Sequence, residues 1–216
     1  MKGTFSMTPP VYESVKQDLF GRDRKVNLLP GDGTVNYYGR ILDHAETGRH
    51  YENLLHSIVW KHDEAVIFGK HIVTARKVAW YADNNYSYTY SGTTRQALVW
   101  TEELLVLKAL VEKLIETKFN SCLLNLYHNG NEGVAWHSDD EKALGKTPTI
   151  ASLSFGAERK FCFRHKKTGE TASLTLENGS LLVMKDATQA NWAHSLPKSK
   201  KIKTPRINLT FRTMHC

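Results

Sequence analysis

After residue 120 the hydrophobic pattern of this chain changes period, and that change constrains its fold more than any other feature. Before it lies TEELLVLKALVEKLIETKF (101–119). There Leu104, Leu107, Val111, Leu114 and Ile115 recur at helical spacing, Thr101 can cap the start, and two acids fill the first turn. Beyond it SCLLNLY, TIASLSFG, KFCFRH, ASLTLENGSLLVMK and RINLTFR alternate apolar with polar side chains, separated by Gly, Asn and Pro turns. Many short strands following helices predict a β-sandwich or jelly roll with helices supporting one face. A second amphipathic helix is expected in GRHYENLLHSIVW (48–60), from Tyr51, Leu54, Leu55, Ile58 and Val59. Residues 1–36, with Pro9-Pro10 and the turn-rich LLPGDGT, read as an extension that packs on the domain late or loosely.

Charge points to a class of partner. The chain has 29 Lys+Arg against 22 Asp+Glu, a net +7, which favours a polyanion such as nucleic acid. Its three cysteines, Cys122, Cys162 and Cys216, are an odd number without a CxxC, so neither a disulfide framework nor a zinc cluster is expected. A reducing, intracellular setting follows: the cytoplasm of a bacterium, or the nucleus of a eukaryote. No segment has the apolar run of a signal peptide or a membrane span, so no membrane partner is expected.

AWHSDDE carries the first chemical signal. On an extended strand His137 and Asp139 point the same way, while Ser138 and Asp140 point oppositely. An imidazole and a carboxylate so placed can occupy adjacent positions on one metal ion. With a second His from elsewhere they would make a 2-His-1-carboxylate facial triad, leaving positions open for cosubstrate and oxygen. Alone, HxD is too short to outweigh a polar turn. RINLTFR adds weight: Arg206, Asn208, Thr210 and Arg212 share one face, and Ile207, Leu209 and Phe211 the other. Two guanidiniums in line are costly to bury without an anion, and their planar forks match the ends of a dicarboxylate. An exposed edge strand with solvated arginines is the plainer alternative. In LLNLYHNG, Asn125 and Tyr127 share a face and could donate to the same ligand.

These residues resemble the AlkB-type Fe(II)- and 2-oxoglutarate-dependent dioxygenases that dealkylate nucleic-acid bases. The resemblance covers most of residues 60–216 and rests on HxD at 137–139, a distal His, and RxNxTxR at 206–212. The flanking ARKVAWYADNNYSYTYSG, SFGAERKFCFRHK and AHSLPK are similar to the branch that repairs duplex DNA. It implies an α+β double-stranded β-helix (jelly roll) with supporting helices and an N-terminal nucleotide-recognition hairpin region. Residues 37–216 would form a single dioxygenase domain, with recognition at about 60–100 and the jelly-roll catalytic core at 120–216. Of the remaining histidines His128 and His165 are rivals by type, but His194 in NWAHSLPK matches the family's distal position. By resemblance His137, Asp139 and His194 hold Fe(II), and Asn125, Tyr127, Arg206, Asn208 and Arg212 hold 2-oxoglutarate. O2 is the third reactant. The implied reaction hydroxylates an N-alkyl group of the 1-methyladenine or 3-methylcytosine type, releasing aldehyde, succinate and CO2.

The same resemblance implies how nucleic acid is held. A methyl on a base's pairing edge is unreachable inside a duplex, so the base must be flipped out. Tyr86, Tyr88 and Tyr90 alternate on one face of NNYSYTYSG, and the resemblance selects Tyr88 to stack on the flipped ring; an aromatic core stripe fits the pattern equally. Phe68 in AVIFGK would be a wedge filling the gap in the duplex. Arg164, Lys166, Lys200 and Lys201 would grip phosphates. Asp140 would pair with Arg76 to brace the pocket, and Glu141 would contact the target base. Ser199 stands where that branch carries a basic residue, which leaves single-stranded DNA or RNA open beside duplex DNA. A monomer is expected. Two other readings remain: a 2-oxoglutarate oxygenase acting on RNA, a protein or a small molecule, and a non-catalytic module that binds damaged DNA.

Overall fold

In the computed structural model, residues 26–67, 70–84, 86–90 and 93–215 are described, with side chains for all of these except 65–67, 70–71, 87–90 and 93–95. The chain forms β1 (Thr34–Arg40), α1 (His44–Ser57), β2 (Lys61–Ile67), β3 (Lys70–Ala82), β4 (Ser87–Tyr90), β5 (Thr93–Gln96) and α2 (Glu102–Ile115). Then come β6 (Ser121–Tyr127), β7 (Val134–His137), β8 (Ile150–Gly156), β9 (Arg159–His165), β10 (Thr171–Leu176), β11 (Ser180–Lys185), α3 (Thr188–Asn191), β12 (Trp192–Leu196) and β13 (Arg206–Arg212).

The two long helices start where their caps dictate. Asp43 accepts from the Glu46 amide while the Glu46 carboxylate accepts from the Asp43 amide, a reciprocal capping box. α1 therefore starts earlier than the expected 48–60 and ends at Ser57, because Ile58 turns extended. That ending removes Val59 from the helical stripe and leaves it 55% exposed. Thr101 caps α2 as its sequence predicts, accepting from the Leu104 amide, and Glu116 closes the helix in the left-handed conformation.

The strands build two antiparallel sheets. The larger runs β1-β11-β8-β13-β6-β3-β2 and the smaller β10-β9-β12-β7. Alternation then sorts every central strand into two faces. On β6, β8 and β13 the residues Leu124, Leu126, Leu153, Phe155, Leu209 and Phe211 face outward, against Leu54 of α1 and Leu104, Leu107 and Val111 of α2. Removing one such side chain, as in Leu209→Ala, costs about 2–5 kcal/mol. On the other face Val35, Ile150, Leu182 and Met184 pack against Phe163, Leu176 and Trp192 of the smaller sheet. This is the double-sheet jelly roll that the sequence predicts.

The boundary expected at residue 36 falls inside β1. Thr34 to Arg40 pair with β11, Val35 is fully buried, and Leu29 ahead of it is 4% exposed. Residues 26–36 therefore belong to the folded domain. The physical reason lies in the turn: the Asn27 side chain accepts from the amides of Leu29 and Val35, and Trp192 Nε1 donates to Gly31 O.

Candidate active site

The metal-ligating candidates meet across one strand pair. β7 and β12 are antiparallel neighbours, and their register sets His194 directly opposite His137, with ring centroids 4.3 Å apart. Asp139 lies just past the end of β7, with Oδ1 3.8 Å from His137 Nε2. One ligand atom from each of the three lies within 4.8 Å of the others, and this is the one such group among the described residues. Spacing predicts His137 and Asp139 on one strand; β7 ends at His137, yet the two groups still converge. His137 Nδ1 donates to Ala135 O at 2.9 Å, which turns Nε2 toward Asp139. Neither His128 nor His165 joins the group: His128 pairs with Glu132, and His165 with Asp32.

Two residues without a sequence signal hold the aspartate in place. The buried Gln189 accepts from the Asp139 amide at 2.9 Å, and Ser138 Oγ donates to Trp192 O at 3.0 Å. Electrostatics favour a cation here. Burial alone would raise the Asp139 carboxyl pKa, but Arg212, His194 and His137 outweigh it and hold the group ionised, below its usual range. Burial pushes His194 down to about 4, against the pull of Asp139, so its ring is neutral at neutral pH. Its Nδ1 is buried with no hydrogen-bond partner among the described residues. Two imidazoles and one carboxylate form a donor set that fits Fe(II).

The polar face of β13 lies between the sheets. Arg206 is 2% exposed; its Nη2 donates to Asn208 Oδ1 at 2.6 Å and to Ser154 Oγ at 3.0 Å. Those partners are neutral, and Arg206 Nε has no partner among the described residues. Burial, assisted by Arg159 and opposed by Tyr127, lowers its pKa to about 10. Across β6, Tyr127 sits opposite Arg206 and Asn125 opposite Asn208. Arg212, 7% exposed, approaches Glu141 Oε1 at 3.6 Å, and its Nε is likewise unpartnered. A line of buried, under-satisfied guanidiniums beside amides and a phenol fits a dicarboxylate, so the donor set suits 2-oxoglutarate.

One expected brace is corrected. Arg76 pairs with Asp63, not with Asp140. A register shift between β2 and β3 at His62/Glu64 sets Asp63 against Arg76 from the neighbouring strand. Asp140 instead lies 3.8 Å from Lys166 Nζ, and its side chain is 69% exposed. Glu141 turns inward toward Arg212. Of the nucleic-acid candidates, Phe68 lies outside the described residues, and so do the side chains of Tyr88 and Tyr90. Tyr86 packs against the buried cluster of Trp80, Ala82 and Ala97, a core role. Lys200 and Lys201 are exposed, whereas Lys166 Nζ donates to Gln189 O at 2.8 Å. Arg164 lies over the Trp136 ring, 4.5 Å from its centroid.

Arg159 was invisible to sequence reasoning. It is 1% exposed and donates to three backbone carbonyls, those of Asn129, Glu132 and Pro197. This ties the loop after β6 to the loop after β12. Gly130 exchanges backbone hydrogen bonds with Ser199 and Ile202 between the same loops, and a Cβ there would meet Ser199 O at 1.9 Å. Ser199 enters this tie through its backbone.

Residues 34–212 match the profile of the 2OG-Fe(II) oxygenase superfamily. The chain is 40% identical over 201 residues to alpha-ketoglutarate-dependent dioxygenase alkB homolog 3 of Bos taurus, covering 88% of this chain and 66% of that protein. It is 36% identical over 216 residues to DNA oxidative demethylase ALKBH2 of Arabidopsis thaliana, covering 88% of this chain and 69% of that one. It thus spans about two thirds of the length of these relatives. The solved structure of OsALKBH1 superposes with a TM-score of 0.58 at 15% identity, covering 86% of this chain and 99% of that one, a likeness of fold alone.

Proposed function

We propose, from the premise that this chain belongs to the 2OG-Fe(II) oxygenase superfamily, that it oxidatively removes N-linked alkyl groups from DNA bases of the 1-methyladenine and 3-methylcytosine type. The observation that carries the reading is the His137–Asp139–His194 cluster, with Arg212 of β13 close enough to act on Asp139 and the under-satisfied Arg206 on the same face of that strand. Relatives named for DNA oxidative demethylation, at 36–42% identity, select this substrate among those open to the superfamily.

In this reading His137, Asp139 and His194 hold Fe(II), which with 2-oxoglutarate and O2 supplies the oxidation of the N-alkyl carbon. The chain's own residues bind and orient. Arg206, Asn208, Arg212, Asn125 and Tyr127 would hold 2-oxoglutarate, and Arg212 also holds Asp139 ionised. Tyr88 stacks on the flipped base and Glu141 contacts its edge, while Phe68 fills the gap that base leaves. Lys200 and Lys201 grip phosphates from the loop that Arg159 fixes. The hydroxyalkyl base then breaks its N–C bond, giving the aldehyde and the unmodified base. Residues 60–100 serve recognition and 120–216 serve chemistry, in a monomer acting inside the cell on DNA. Among the described residues no helix is long and apolar enough to cross a membrane.

The test incubates purified protein with Fe(II), 2-oxoglutarate and DNA oligonucleotides carrying 1-methyladenine or 3-methylcytosine. Base reversion with stoichiometric succinate is expected, and His137→Ala should abolish both. Succinate without reversion by the wild-type protein would refute the substrate. In duplexes Phe68→Ala should lose more activity than in single strands; equal loss on both refutes the wedge.

A further inference from the structure

The smaller sheet has a second face, turned away from the iron site. Its outward side chains are Lys160, Cys162 and Arg164 of β9, Thr171, Ser173 and Thr175 of β10, Ala193 and Ser195 of β12, and Trp136 of β7. None is a carboxylate. Two are exposed cations, and Trp136 is 39% exposed, among the largest exposed apolar groups described. The residues of the intervening strand β12 are small on this side. The Trp136 indole from one neighbouring strand therefore meets the Arg164 guanidinium from the other, at 4.5 Å to the ring centroid. A stacked cation–aromatic pair results, and none of the outward strand side chains around it is a carboxylate.

We propose that Trp136 and Arg164 form a stacking platform for a nucleobase of the bound DNA strand other than the one in the catalytic pocket. This rests on the DNA reading above and deepens it. Position supports the proposal: Trp136 immediately precedes His137 and points to the opposite face, and β7 is the edge strand of its sheet. A strand leaving the iron site over that edge arrives at the indole. Chemistry supports it too, because every base has a π-face on which an aromatic or guanidinium plane can stack, and Lys160 and Arg164 offer charge to phosphates. Arg164 on this account stacks through its guanidinium plane as well as contributing charge.

Affinity for a fluorescein-labelled single-stranded DNA carrying 3-methylcytosine tests it, using protein loaded with Mn(II) and 2-oxoglutarate so that no turnover occurs. Trp136→Ala should weaken binding about ten-fold or more while leaving the slope of log K against log salt at the wild-type value. Trp136→Phe should retain affinity to within about three-fold, since a ring remains. Arg164→Gln should weaken binding and reduce the slope by about 0.7, the signature of one lost cation on a single strand. Wild-type affinity in Trp136→Ala overturns the platform, as does a loss that tracks a parallel drop in Mn(II) affinity. If the wild-type protein dealkylates DNA and Trp136→Ala binds it equally well, the platform alone fails. If the wild-type protein binds no oligonucleotide, both readings fail.

Discussion

Two arginines flank the Tyr127 ring, and the contrast between them separates structure from function. Arg159 lies 5.9 Å and Arg206 5.5 Å from the ring centroid, and both are almost fully buried. Arg159 is satisfied by three backbone carbonyls drawn from two loops. Among the described residues Arg206 reaches only neutral side chains, and its Nε has no partner. A buried charge saturated by the backbone has completed its work at folding. One held by neutral groups is waiting for an anion, and it destabilises the empty protein until the anion arrives.

The strongest way to break this contrast is Arg206→Met. The affinity for 2-oxoglutarate should fall by at least about 30-fold, since truncating one partner of a buried charged pair costs about 2–5 kcal/mol. The melting temperature without 2-oxoglutarate should hold or rise, because an uncompensated buried charge is gone. A clear drop in the empty protein's stability would place Arg206 with Arg159. Arg159→Met should do the reverse: about 3 kcal/mol of stability lost as carbonyls go unsatisfied, or roughly 6–12 °C, with 2-oxoglutarate affinity within ten-fold of wild type. Calorimetry and ligand titration on the two variants read both quantities.

A smaller effect sharpens the same point. With metal present, 2-oxoglutarate at about 100 times its Kd should stabilise the wild type by about 2.7 kcal/mol. Arg159→Met should show the same increment from a lower starting temperature. Arg206→Met should show no more than about 0.9 kcal/mol at that concentration.

The contrast also explains what could be seen in the sequence. β6, β8 and β13 were legible because each alternates cleanly between a helix-covered face and an inner face, and RxNxTxR placed its cations on the inner one. His137 and Asp139 were legible from spacing, and His194 by family resemblance. Arg159 was not, because backbone carbonyls carry no residue signature. β1 was masked by the turn-rich residues ahead of it, whose order depends on Asn27 reaching two amides along the chain and on Trp192 far from it in sequence. Arg76 was assigned the wrong acid because its partner is set by a bulge between two strands, a detail of register that no local pattern encodes.

The smallest effect expected lies one bond behind Arg206. Ser154 Oγ accepts from Arg206 Nη2, while Ser152 Oγ donates to Asn208 Oδ1 at 3.0 Å, the atom that takes the shorter bond from Arg206. Ser154 therefore aims the guanidinium directly, and Ser152 only through the amide. Ser154→Ala removes one hydrogen bond to a charged group, worth about 1.5 kcal/mol, so the 2-oxoglutarate Kd should rise about ten-fold. Ser152→Ala removes a neutral bond and leaves both Arg206 contacts in place, so its Kd should rise no more than about three-fold. Titration of 2-oxoglutarate into the two variants checks the order. If Ser152→Ala proved the more damaging, the fork of Arg206 would be aimed chiefly by Asn208, and the receptor would be the amide–guanidinium pair rather than the arginine alone.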